Sequence, residues 1–490
     1  MTAWEILASA LPASDWPRKK MDAAWKTVLL NQFHDIIPGS SIRQVYERTE
    51  KEYAEVLETA RTGMLEAAGK LFRRNEECAV LVNTLSCEWS GAVELPEGWN
   101  GALDAGGKVL PAQRHEGRTW VPVRIAGNSF LTLRRGTETA VTETDTEKLV
   151  LENERVRYEL DEKKRLIRAF DKELGREMLA SPGNVLMLYN DRPVSWDAWD
   201  IDLYYRREEL SAAECVRAGT VKHGEVFDSA DLVFRTGGSE ITQQIRLARG
   251  SKRLDFVSHV DWHEHRKMLR VSFPTAVQTD RASFDIQYGH IERPTHDNTS
   301  WDMAKFETCG QRYADLSGGG FGAALLNDCK YGYHVRNSTL DLALLRAPQY
   351  PDRFADQGEH IFTYSFLPHG GRLAESAVMQ EAAVLNREPV LIPGFEANDA
   401  AMPCRLDSDG ISLEVVKRAE KDDSLILRLV EFRGQYSSGT LRFDPKPVKV
   451  CETDLMEWND TKSLNLTGNT AELELKPFEI RTLRVDFSRS

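Results

Sequence analysis

The hydrophobic period of this chain changes once, near residue 75, and that change limits it to a helical start followed by a β remainder. From Met21 to Phe33, the residues Met21, Trp25, Val28, Leu29 and Phe33 recur at helical intervals and give one apolar face. Ser41, with Gln44 three positions on, reads as a capping box. Ile42, Val45, Tyr46, Tyr53, Val56, Leu57, Met64 and Leu71 then keep helical spacing, which predicts helix to about Leu71. At about 1.5 Å per residue this second helix is roughly 45 Å long.

Beyond residue 75 the pattern is that of strands. Ala79-Val80-Leu81-Val82 and Thr119-Trp120-Val121-Pro122-Val123 read as short strands, with turns at Glu97-Gly98 and Gly106-Gly107. The Thr/Glu-rich stretch 137–148 reads as a connector. Val156 to Leu160 alternates cleanly, and Asp171 to Gly175 supplies a turn. Strand signals continue at Leu232-Val233-Phe234, Arg253 to Val257, Ser424 to Leu429 and Ala471 to Leu475. Frequent turns with little helix among them argue for β-sandwich architecture. The expected fold is mainly β with an N-terminal helical segment: a helix bundle over 1–75, a small β domain over 76–148, one large sandwich over 149–375 and a C-terminal β-sandwich module over 376–490.

Composition narrows the partners. A formal net charge of −13, with Lys and Arg scattered, argues against nucleic acid or an anionic membrane as partner. The N-terminal residues lack a basic region and a long apolar run, so neither a signal peptide nor a membrane span is expected there. Seven cysteines without CxxC spacing fit reduced thiols in a cytoplasm better than a disulfide framework or a cysteine zinc site. The sequons at Asn298, Asn337, Asn459 and Asn465 are then chance matches.

The corner between the two helical runs carries the chemistry. Pro38 and Gly39 break the chain there, and His34 and Asp35 stand side by side just before them. A neutral imidazole is a common zinc ligand, and an adjacent carboxylate accepts hydrogen bonds from hydroxyls. The plainer reading is a histidine that ties down a helix end beside a solvated aspartate. The residues alone leave both open, since no second metal ligand is near in sequence.

The run Leu29-Leu30-Asn31-Gln32-Phe33-His34-Asp35-Ile36-Ile37-Pro38-Gly39-Ser40-Ser41-Ile42, followed by the long helix, resembles the signature of glycoside hydrolase family 38, the retaining α-mannosidases. Further blocks resemble bacterial and cytosolic or vacuolar members: Asn190 to Pro193 with Trp196 to Asp202, Tyr288 to His296 with Asn298 to Asp302, and Leu325 to Tyr333 continuing to Leu344 to Pro348. The resemblance implies a large galactose-mutarotase-like sandwich and makes His34 one of four ligands of an active-site zinc, with Asp35 contacting the sugar. It also implies an N-terminal barrel that supplies the other ligands, the nucleophile and the general acid/base, two carboxyls about 5 Å apart. No AHxD-like start of that barrel occurs in these residues, and Asp15 and Asp22 are too close to His34 in sequence to replace its carboxylates. The chain therefore reads as the C-terminal part of such an enzyme, without catalytic residues of its own, binding zinc weakly or not at all.

Remaining candidates belong to the substrate wall. Trp199 and Asp200 are expected to face a mannose-containing oligosaccharide, against the alternative that Trp196 and Trp199 fill the sandwich core. Arg346 is a candidate for the same wall, with a structural salt bridge as its alternative. The run His259, Asp261, His263, Glu264, His265 has metal-like spacing but reads as a solvent-facing strand. The glycine-rich stretch from Asp315 to Gly322 reads as a hairpin turn. The helix face that the resemblance assigns to the barrel is expected to stay uncovered by Trp4, Ile6, Leu7 and Trp16, with self-association or N-terminal disorder as the result. Two rival readings stand beside the enzyme fragment. One is a non-catalytic carbohydrate-binding or scaffold protein, and the other is a chain completed by a separately encoded barrel.

Overall fold

The computed structural model of the protein describes residues 1–137 and 140–487. By their contacts these residues group into two compact units, each discontinuous in sequence. One comprises 1–32, 49–140 and 387–490, and the other 33–48 and 141–386. The division into 1–75, 76–148, 149–375 and 376–490 orders elements along the chain, whereas compactness draws strands together from distant segments.

The first unit holds most of the helical segment. Helix α1 (Thr2–Ser9) buries Trp4, Ile6, Leu7 and Ala8 and packs on the strand Ile411–Arg418. This corrects the expectation of N-terminal disorder: the three apolar residues Trp4, Ile6 and Leu7 have a core to enter. Helix α2 (Arg18–Asn31) follows Pro17, and helix α3 runs from Arg43 to Leu71, one residue later than the Ile42 start that a capping box on Ser41 implies. The buried stripe of α3 is made of small residues, Ala60, Gly63, Ala67 and Ala68, behind Thr49 and Val56. Gly63 is required by this packing, because a Cβ there would lie 2.2 Å from Trp4 Cε2. Asn31, buried at the end of α2, donates to the Thr27 carbonyl and to Glu52 Oε2 and accepts from Thr49 Oγ1 at 2.8 Å, which locks α2 to α3. The apolar face expected over Met21 to Phe33 is buried only in part: Met21 is covered, while Leu29 and Phe33 are 60% and 52% exposed.

Sheets complete that unit. Strand Arg73–Asn83 lies between Ser129–Arg135 and Val390–Glu396, with Val80 opposite Thr132 on one side and Ile392 on the other. A three-stranded and a five-stranded antiparallel sheet follow over 404–486. Their inner residues, among them Leu413, Leu427, Leu441 and Leu483, form one core with Ile6, Leu7, Ala67, Phe72 and Val80.

The second unit is the expected large sandwich. A six-stranded and a ten-stranded sheet, with a four-stranded meander over 150–177, share one core that includes Phe256, Trp262, Phe273, Tyr364 and Phe366. Val156–Leu160 alternates buried and half-buried as its sequence predicts. Gly319 and Gly320, both at positive φ, form the hairpin turn between Tyr313–Gly318 and Phe321–Asn327. Within the Thr/Glu-rich stretch, Val141–Thr142 and Thr144–Thr146 are short strands, and residues 138 and 139 lie outside the described residues. The strand Leu254–Trp262 ends before His263, so the alternation that would align His263 and His265 with Asp261 does not reach them.

Candidate sugar-facing site

The corner 33–48 belongs to the second unit and is held by its own backbone. Ile36 N–H donates to the Phe33 carbonyl at 2.8 Å and Gly39 N–H to the Ile36 carbonyl at 3.1 Å. Gly39 has φ +81, a left-handed conformation that glycine adopts without steric cost. From the first turn of α3, Tyr46 reaches back over the corner. Its hydroxyl accepts from Ser41 N–H at 2.8 Å and donates to the Ile36 carbonyl at 3.2 Å. Burial, the largest influence on this phenol, pushes its pKa up. The Ser41 N–H is therefore capped by a tyrosine hydroxyl. Arg43 extends the attachment, with its guanidinium 4.7 Å from the centre of the Phe354 ring.

With the backbone fixed, the His34 imidazole faces outward. Its side chain is 80% exposed and its Nε2 lies 3.7 Å from Asp35 Oδ2. The Phe33 ring flanks it at 4.3 Å between centroids. The two side chains thus present an imidazole nitrogen and a carboxylate oxygen to one place in solvent. Among the described residues no group of three or more His, Cys, Asp or Glu is placed to hold a metal. The residues described do not by themselves make a zinc site; His34 offers one ligand and no more.

A second element is the loop 191–202, between the strand Val185–Asn190 and the short 3-10 turn Leu203–Arg207. Three aspartates pin it. Asp191, buried, is held by Arg346 through Nε and, at 3.1 Å, through Nη2. Asp197 accepts from Arg266 Nη2 at 3.0 Å and from Gln349 N–H at 3.2 Å. Asp202 accepts from Val194 N–H at 2.8 Å. Trp196, at φ +62, starts a tight turn in which its carbonyl accepts from the N–H groups of Trp199 and Asp200.

The consequence is an outward aromatic group. Trp196 and Trp199 are 65% and 47% exposed, so neither fills the core. Their rings meet edge to face at 5.9 Å, and the Tyr350 ring stands 6.2 Å from that of Trp199. The Asp200 carboxylate is exposed and accepts from Ile201 N–H, while its carbonyl accepts from Arg346. The structure gives Arg346 the salt bridge that its sequence reading set as the alternative. Its guanidinium holds the loop in place, through Asp191 and the Asp200 carbonyl.

Behind this loop lies a buried polar cluster. Arg270 pairs with Asp341 at 2.5 Å and with Glu307 at 3.1 Å, Arg206 pairs with Asp341 at 3.1 Å, and Tyr205 donates to Glu307. Burial pushes Glu307 up, whereas for Asp341 the two arginines outweigh burial and hold it below the usual carboxylate range. The cluster anchors residues 203–207 and so the downstream end of the loop. In the His259 to His265 run, His263 pairs with Asp261 at 2.9 Å and His259 lies 3.9 Å from Glu359, all near the surface.

Sequence reasoning passed over Tyr46, Tyr350, Asp191, Asp197 and Asp202 as named site residues. Asp191 and Asp197 lie inside the blocks that carry the resemblance, but their partners are 155 and 69 residues away. Tyr350 stands two residues beyond the Leu344 to Pro348 block, and its ring contact with Trp199 has no local signal.

Three family models match the chain: the α-mannosidase middle domain over 1–71, the glycosyl hydrolases family 38 C-terminal domain over 151–354 and the family 38 C-terminal β-sandwich domain over 410–483. Among curated proteins, α-mannosidase 2C1 of Homo sapiens is 35% identical over 482 residues, covering 96% of this chain and 46% of that protein. α-Mannosidase G of Dictyostelium discoideum is 30% identical over 524 residues, covering 94% and 47%. The chain spans just under half the length of these relatives. An α-mannosidase structure from Enterococcus faecalis V583 superposes with a TM-score of 0.79 at 19% identity, covering 98% of this chain and 65% of that one, a likeness of fold. No helix among the described residues is long and apolar enough to cross a membrane. The chain belongs to glycosyl hydrolase family 38, and of that family it carries the α-mannosidase middle domain and the C-terminal domains.

Proposed function

We propose that these residues form one side of the sugar site of a zinc-dependent, retaining α-mannosidase that removes terminal α-mannose from oligosaccharides. The observation that carries the reading is the pinned loop that holds Trp199 outward beside Tyr350, in the same compact unit as the His34–Asp35 corner. A tryptophan face stacks on the apolar C–H face of a sugar, and carboxylates accept from its hydroxyls. Trp199 takes the first role, Asp200 and Asp35 the second, and Arg346 keeps Asp200 in position.

His34 supplies one ligand to the zinc of the complete enzyme, where the metal orients sugar hydroxyls as a Lewis acid. The remaining ligands and the carboxyl pair that retaining hydrolysis requires come from a barrel outside these 490 residues. Alone, the chain binds zinc weakly or not at all and does not turn over mannosides. Seven cysteines without CxxC spacing fit a reducing compartment, so the proposed place of action is the cytoplasm. Phe33, Ile37 and Ile42 stand exposed on the corner and favour self-association of the isolated chain.

The test is titration of the chain with methyl α-D-mannoside, followed by calorimetry and tryptophan fluorescence. Weak saturable binding that W199A removes supports the reading. Binding that W199A and D200N leave intact contradicts the wall. A second reading, a non-catalytic glycan-binding module, is favoured by one feature: the exposed Trp196–Trp199–Tyr350 group needs no nucleophile to hold a sugar. Glycan binding that persists without hydrolysis when a family 38 barrel is supplied selects it.

A further inference from the structure

The strand Arg73–Asn83 carries a bulge beside a cleft at one end of its sheet. It pairs with Val390–Glu396 at Arg73–Glu396 and Arg74–Phe395 and then again from Ala79–Pro393, so residues 75–78 bow out opposite Gly394 alone. Gly394 sits at φ +82, a conformation open to glycine. On the other side of the strand Cys78 stands opposite Arg134, and Arg134 in turn opposite Leu103. Val82 and Val80 share the face of Cys78 and enter the core, so the apolar row ends where Cys78, Arg134 and Leu103 meet the cleft. Bulges of this kind re-aim side chains and recur beside active sites. The cleft has a volume of about 330 Å³, at the lower end of the roughly 300–1,000 Å³ usual for small-molecule sites.

Three arginines line it. Arg73 and Arg134 share one partner, the buried carboxylate of Glu396, which Arg134 reaches through Nη2 at 3.1 Å. The Asn75 amide donates to the same carboxylate at 3.1 Å. Two guanidiniums on one carboxylate leave a positive charge over. Arg135, the last residue of its strand, donates from Nη2 to the Gly98 carbonyl at 3.0 Å and lies 3.9 Å from the exposed Glu77 carboxylate. Among the described residues the Nε and Nη1 groups of all three arginines make no hydrogen bond. Burial pushes the Cys78 thiol up, so it stays protonated and adds no negative charge. The lining therefore sets three guanidiniums against two carboxylates, in a chain whose net charge is −13.

From this arrangement we propose that the cleft binds a small phosphate monoester. Such a group brings between one and two negative charges and three acceptor oxygens, enough to engage Arg135 and the free edges of Arg73 and Arg134 together. A monocarboxylate offers two oxygens and one charge, which Glu396 already supplies. Glu396 also holds Arg73 and Arg134 in place, which lowers the side-chain freedom lost on binding. The organic part of the ester lies against Leu103 and Cys78, in space that inorganic phosphate leaves unfilled. All these residues belong to the first unit and none to the sugar-facing loop, so the proposal does not rest on the sugar-site reading.

The test is calorimetric titration of the 490-residue chain with glycerol 3-phosphate, inorganic phosphate and succinate, thermal stability being recorded for each variant. Glycerol 3-phosphate is expected to bind saturably, one per chain, more tightly than the other two and more weakly as salt is added. R135Q leaves the Glu396 bridge intact; it is expected to melt as the parent does and to weaken the ester about tenfold or more. R135K recovers part of that loss, and W199A binds the ester as the parent does. No saturable binding of the ester overturns the proposal, as does binding that R135Q and R73Q both leave unchanged. Succinate bound as tightly as the ester overturns the phosphate assignment, and inorganic phosphate bound as tightly overturns the monoester.

Discussion

Arg346 grips the buried carboxylate of Asp191 through two nitrogens, Nη2 standing 3.1 Å from Oδ1, and the same guanidinium reaches the carbonyl of Asp200. One side chain therefore fixes the start of the 191–202 loop and the residue beside Trp199. Replacing it by methionine leaves Asp191 buried without a partner, a loss of roughly 3 kcal/mol for a broken buried pair. R346M is expected to melt earlier and to shift Trp199 emission toward that of solvated indole. In D191N/R346M, where no unpaired charge remains, the loss should be smaller than in R346M. Denaturant unfolding of the three proteins checks this order.

Tyr46 is the fastener of the corner, and Y46F removes its bonds to Ser41 N–H and the Ile36 carbonyl. The global cost is small, about 1 kcal/mol. The local effect is larger: hydrogen exchange should speed up over 34–41 while the sheets of the second unit keep their protection. Unchanged exchange in that segment would assign the fixing of His34 to other groups.

Gly63 and Trp4 share one volume. In an exposed helix, glycine to alanine gains about 1 kcal/mol from propensity. Here the added Cβ falls 2.2 Å from the indole, and G63A is expected to destabilise by about 2 kcal/mol through overpacking. Combining it with W4L should relieve most of the clash, which a double-mutant cycle measures.

Glu5 is buried in α1, and desolvation lifts its carboxyl to about 7, above the effects of Lys417 and the Trp25 indole that lower it. Its folded pKa thus exceeds the unfolded value near 4.5, so the folded state holds the extra proton between those values. Stability from this group is present below about pH 4.5 and is lost as pH rises toward 7. E5Q, neutral throughout, is expected to be more stable than the parent at pH 8 by roughly 3 kcal/mol, each tenfold change in proton affinity being worth about 1.4 kcal/mol. Most of that margin should vanish at pH 5. Melting temperatures at the two pH values decide it, and a margin independent of pH would contradict the assignment.

The change of period near residue 75 is visible in the chain because helices and strands repeat apolar residues at different intervals. The regular alternation of Val156 to Leu160 appears in the structure for the same reason. The corner is legible as a break at Pro38 and Gly39 between two periodic runs. What holds each piece is less so. Strand Arg73–Asn83 has Val390–Glu396 as a neighbour, a pairing across some three hundred residues that no local pattern announces. Trp4 looks like a short, loose apolar stretch until Gly63 makes room for it on α3. Leu29 and Phe33 keep helical spacing and yet stay exposed, since periodicity marks a face and not what covers it. Trp199 likewise reads equally well as core or as surface, and the difference is made by Asp191 and Asp197 finding Arg346 and Arg266 far along the chain.

The central claim is that His34 is one ligand of a zinc site completed by a barrel that these residues do not contain. Zinc content and hydrolysis of p-nitrophenyl α-D-mannoside, measured for the 490-residue chain alone and with a family 38 barrel supplied in the same or a separate polypeptide, test it most directly. No stoichiometric zinc and no turnover are predicted for the chain alone. With the barrel, one zinc per protein and activity are predicted, both lost in H34A. Stoichiometric zinc or turnover in the chain alone, or an H34A assembly that keeps its metal and its activity, would contradict it.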